Sequence, residues 1–92
     1  MSEAVEKMRR AINEADYDRE YFTVRAVENV EYPEVVDVCV DSVLRGEGGR
    51  WHTGHTALYA KHVLEGPDEQ LRDIVEDLAR DLAEQISEPI RR

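Results

Sequence analysis

Four side chains in this sequence have the chemistry of zinc ligands: Cys39, His52, His55 and His62. Thiolate sulfur and imidazole nitrogen are the usual donors of four-coordinate zinc sites. His52 and His55 are separated by two residues, a spacing that paired ligands use. His55 and His62 lie seven apart, two turns on one helix face with Tyr59 between them. Cys39, however, has no Cys-x2-Cys partner. A complete site would need a strand cysteine to meet three histidines arriving from a loop and a helix. The pattern therefore favours a polar, half-exposed histidine cluster beside Trp51, and neither a metal nor another cofactor is expected.

Acid–base chemistry is the next possibility, because it needs a carboxylate or imidazole held at a perturbed pKa. Asp37 and Asp41 would lie near His52 if the second and third strands pair, but alternate acids also suit a plain solvated face. There is no G-x-S-x-G nucleophile elbow. The glycine-rich GEGG at 46–49 is not followed by the lysine and hydroxyl of a phosphate-binding loop. Cys39 sits in a valine-rich strand pattern, which predicts an inert, buried thiol. The expectation is a protein without enzymatic activity.

These residues stand in an acidic chain. Twenty-one acids face 12 bases, for a formal net charge of −9 over 92 residues. A field of that sign repels phosphate backbones, so direct nucleic-acid binding is disfavoured and a partner with a basic surface is expected. The acidity also suits a salt-adapted cell. The acids thin out in one interior segment: residues 48–67 hold Glu65 alone against Arg50 and Lys61. That segment contains RWHTGHT, residues 50–56, with the only tryptophan. Arg50, Trp51, His52, His55, Tyr59 and His62 are accordingly predicted to form a partner-contact patch. Trp51 can equally close the core at the end of a strand.

The length allows one small domain, 1–92, with a thin stability margin that a homodimer would relieve. No apolar run is long enough to span a membrane, the first ten residues lack the apolar core of a signal peptide, and the lone cysteine cannot form an internal disulfide. A cytoplasmic protein is expected.

The elements that must position the patch follow from periodicity. Ala4, Val5, Met8, Ala11, Ile12 and Ala15 recur at helical spacing over 3–15, with Ser2 as a cap. Residues 21–28 alternate as a strand, with Phe22, Val24 and Ala26 on one face. Residues 35–44 alternate more clearly still: Val36, Val38, Val40 and Leu44 on one face, Asp37, Cys39 and Asp41 on the other. The glycine-rich 45–49 reads as a hairpin connection. A short strand over about 50–53 would return through Trp51. A helix over 56–65 starting at Thr56 would follow, with Gly66 and Pro67 ending it. The last helix is predicted over 68–87, with Leu71, Ile74, Val75, Leu78, Leu82 and Ile86 inward and Pro89 as the stop. The fold class is thus α+β, a three-stranded antiparallel meander with helices on one face, in the order α-β-β-β-α-α.

The same order, up to the first helix after the strands, occurs in double-stranded-RNA-binding modules. Those rely on lysines at the start of that helix, and the corresponding segment here offers only Lys61. The leading expectation is a small cytoplasmic protein-interaction or regulatory module. The second is an acidic mimic of nucleic acid, of the anti-restriction or anti-CRISPR type, in which Asp73, Glu76, Asp77, Asp81 and Glu84 present an acidic surface to a basic groove. The third is a metal-dependent module using the histidine cluster.

Overall fold

The computed structural model describes residues 2–45 and 51–90, with backbone only for 43–45, 51–52 and 86–90. The order is helix, three strands and two helices: α1 Glu3–Glu14, β1 Phe22–Glu28, β2 Val35–Arg45, β3 Trp51–Tyr59, α2 Ala60–Glu65 and α3 Asp68–Ile90. The strands form one antiparallel sheet in the order β1-β2-β3, which is the α+β meander expected from the sequence.

Strand alternation sorts the side chains cleanly. Phe22, Val24 and Ala26 of β1 and Val36, Val38 and Val40 of β2 are buried beneath the helices. Helix α1 turns Val5, Met8 and Ile12 onto them, α2 contributes Val63, and α3 contributes Leu71, Val75, Ala79 and Leu82. Helix α1 packs on β1 and on both other helices, whereas α3 runs across all three strands. All three helices serve this one face. The other face of the sheet carries Thr23, Arg25 and Val27, Asp37, Cys39 and Asp41, and Thr53, His55, Ala57 and Tyr59, and among the described residues no helix lies over it.

The caps show why the helices begin and end where they do. Val5 N–H donates to Ser2 Oγ at the start of α1. At its end, Arg19 Nη2 donates to the carbonyls of Ile12, Asn13 and Ala15, and its guanidinium stacks 4.3 Å from the Tyr17 ring centre. This cation meets carbonyls that a helix C-terminus leaves unpaired. Lys7 Nζ reaches from α1 to the carbonyls of Leu64 and Gly66, fastening the α2–α3 junction. A Cβ on Gly66 would stand 2.8 Å from the His62 carbonyl oxygen, so the tight turn there needs glycine.

Several boundaries differ from those predicted. Strand β3 continues to Tyr59 instead of ending near 53, and α2 is correspondingly short. Thr56 is not a helix cap: it pairs with Val38 on the helix-covered side of the sheet. The N-cap of α2 is Tyr59, which makes no side-chain capping bond. The reason is that an eleven-residue β2 offers ladder positions down to Val35, and pairing with them satisfies more main-chain groups than an early helix would. At the other end α3 runs one residue past Pro89, to Ile90. A proline disturbs the turn before it, not the residue after it.

The two rims of the sheet differ. Ala60 N–H bonds to the Glu34 carbonyl, and Asn29 N–H to the Val35 carbonyl. With the observed registers, these place the even-numbered residues of β3 in the ladder with β2 and turn the main chain of Thr53, His55, Ala57 and Tyr59 outward. On β1 the even-numbered residues point outward instead. There Arg9 Nε donates to the Ala26 carbonyl, and Phe22 N–H bonds to the Asp18 carbonyl. The rim of β1 is thus tied at two points. Among the described residues, nothing occupies the outer main-chain groups of Thr53, His55 and Ala57 or the N–H of Tyr59, whose carbonyl accepts the first hydrogen bond of α2.

Candidate functional site

The helix-free face of the sheet gathers a compact polar group. Register sets Arg25, Cys39 and His55 side by side across the three strands. Two diagonal contacts cross this row. Arg25 Nη2 lies 3.1 Å from Asp41 Oδ2, and His55 Nε2 lies 3.2 Å from Asp37 Oδ1. Asn29 Nδ2 donates to the other Asp37 oxygen at 3.0 Å. Diagonal neighbours on a sheet face are within reach of long side chains. Asp37 is thereby held from both sides, with its side chain only 18% exposed.

Cys39 sits in the middle. Partial burial pushes its thiol above the ordinary range; Arg25 pulls the other way, and Asp37 and Asp41 add to the rise. A cysteine nucleophile needs the opposite, a pKa lowered so that thiolate exists at neutral pH. The sequence reading placed this cysteine in the interior; the structure leaves it half-buried on the open face.

The predicted patch divides in three. His55 and Tyr59 are both on β3, on the open face, with Tyr59 60% exposed. They do not share a helix face with His62, because residues 55 and 59 are strand. His62 stands on α2, and its ring meets the edge of Tyr59 with centroids 5.6 Å apart. Trp51 and His52 belong to the backbone of β3, while their side chains and the whole of Arg50 lie outside the described residues. Among the described residues, no three His, Cys, Asp or Glu side chains gather where a metal could be held. The histidine beside these aspartates is His55, on Asp37, whereas the sequence pointed to His52, whose side chain lies outside the described residues.

A second feature was not foreseen. Between β3, α2 and α3 lies a cleft of about 470 Å³, lined by Leu58, His62, Val63, Glu65, Gly66, Pro67, Gln70 and Ile74. Gln70 and Ile74 occupy the flank of α3 opposite Arg72 and Glu76, which turn toward α1 through Glu14 and Asp16. The cleft therefore opens on the side of the molecule away from α1, alongside β3.

The acidic surface on α3 is uneven. Asp73, Asp81 and Glu84 are exposed. Glu76 accepts from Asp16 N–H, and Asp77 pairs with Arg80 at 2.8 Å. Among the described residues, no helix is long and apolar enough to cross a membrane.

Comparison with protein-family models, curated proteins and solved structures gives no match.

Proposed function

We propose that the protein is a small cytoplasmic interaction module without enzymatic activity, and that it meets its partner along β3. One observation carries this reading. Strand β3, Trp51–Tyr59, contains no Asp, Glu, Lys or Arg in a chain of net charge −9, and it forms an uncovered rim of the sheet. Proteins commonly protect exposed edge strands with charges, prolines or a covering element. A bare one, with Tyr59 and His55 projecting beside it, suits association. The raised thiol of Cys39 supports the non-catalytic side of the proposal.

A nucleic-acid mimic is the second reading, supported by Asp73, Asp81 and Glu84 along one helix. It is weakened by the internal engagement of Glu76 and Asp77. Affinity capture from the native lysate followed by variants separates the two. Tyr59→Ala with His55→Ala is expected to release the captured protein, and charge reversal of Asp73, Asp77 and Asp81 to leave it bound. The reverse pattern would replace the module by the mimic.

A further inference from the structure

We infer that β3 takes an extended segment of a basic partner as a fourth strand, with an apolar side chain of that segment seated in the adjoining cleft. This rests on the interaction-module reading and specifies its mode. The outward N–H and C=O groups of Thr53, His55 and Ala57, with the N–H of Tyr59, form a row of donors and acceptors at strand spacing. Strand addition uses such a row for affinity and a neighbouring pocket for alternate side chains as the source of specificity. Here the cleft supplies that pocket: Leu58, Val63 and Ile74 give it an apolar floor, and Gln70 and His62 stand at its margin.

Charge selects the occupant. Glu65 lies on the cleft wall, and Asp81 continues the α3 flank beyond Ile74, where Asp77 is paired with Arg80. A second copy pairing its own β3 here would bring two such flanks toward each other on the same side of a continuous sheet, acid against acid. Lysine or arginine on the incoming strand meets the same flank favourably. The occupant is therefore a segment alternating apolar and basic residues, not another copy of this chain.

The test uses an N-acetylated, C-amidated octapeptide alternating Leu and Lys, its Leu/Glu counterpart, and a Leu/Lys copy N-methylated at alternate amides. On saturation with the Leu/Lys peptide, hydrogen exchange at the amides of Thr53, His55, Ala57 and Tyr59 should slow by about tenfold or more. The Leu/Glu and N-methylated peptides should bind at least about tenfold more weakly. Ala57→Pro removes an outward N–H without touching the ladder to β2, a placement that edge strands tolerate. With its circular dichroism and melting temperature unchanged, it should also lose about tenfold in affinity.

Should Ala57→Pro fail to fold, exchange on the unaltered protein decides alone. Equal binding of the methylated peptide, or unmoved exchange at the four amides, overturns the strand-addition mode. So does a dimer in sedimentation that Ala57→Pro dissolves, because the rim then belongs to a second copy. If these tests fail while Tyr59→Ala and His55→Ala still release the native partner, the module reading survives and only its mode falls. If no β3 variant affects that partner, the module reading falls as well.

Discussion

Gly54 lies at the middle of β3, opposite Val40, and a Cβ built there would stand 2.9 Å from Val40 Cγ1. Carbon atoms prefer about 3.5–4.0 Å, so Gly54→Ala demands a movement of roughly 0.6 Å or more from a branched side chain that is fully buried. Overpacking of this kind costs about 1–3 kcal/mol, while replacing a strand glycine by alanine recovers roughly 0.5–1 kcal/mol of chain entropy. The expected net loss is about 1 kcal/mol, or about 4–8 °C in melting temperature for a domain of this size. Val40→Ala removes the obstructing methyl group and costs about 2–3 kcal/mol by itself, from lost burial and the cavity left behind. In that background Gly54→Ala should turn mildly stabilising, by about 0.5 kcal/mol, so the two changes should couple by about 1.5 kcal/mol. Urea denaturation of the four proteins measures this, provided the slopes agree. If Gly54→Ala costs the same with and without the Val40 methyl groups, within about 0.5 kcal/mol, contact with Val40 is not why position 54 is glycine.

Other expectations follow from single contacts. Arg19→Ala strands three carbonyls at the end of α1 and should cost about 1.5–2 kcal/mol, with Arg19→Lys recovering part; chemical denaturation checks both. Cys39 should react with iodoacetamide slowly at neutral pH, reaching its half-maximal rate at higher pH than in the unfolded chain. Because folding raises this pKa, its stability contribution is full below the unfolded-state value and is lost as pH climbs through the folded-state one; Cys39→Ser should flatten that alkaline decline. Duplex DNA or RNA should show no gel shift at ~0.15 M salt, and a discrete shifted band there would contradict the field expected from the net charge.

The sequence carried the fold wherever burial enforces a period. The alternation of Val36, Val38 and Val40 with Asp37, Cys39 and Asp41 fixed both faces of β2, and the stripe from Leu71 to Leu82 fixed the inner face of α3. It carried less at β3. Thr56, Ala57 and Leu58 have no strong local preference, and their strand state follows from the length of β2 beside them. The candidate site was legible in part for the same reason. His55, Tyr59 and His62 were singled out by type, but their grouping depended on whether 55–59 is strand or helix. Arg25 and Asn29 joined the site only through register, which links residues 16 and 8 positions from their partners. The cleft beside Leu58 arises from the packing of three elements, so no local pattern announces it.

The reach of Arg9 to the Ala26 carbonyl has a consequence for assembly. A filament built by stacking sheets side by side needs two complementary free borders on every unit, so that each addition leaves a new one to extend. Here one border is tied at two points by the protein's own chain, at Ala26 through Arg9 and at Phe22 through the Asp18 carbonyl. Growth along the hydrogen-bonding direction must first break these ties, so the two borders are not equivalent and the bare strand is the one left open to a partner.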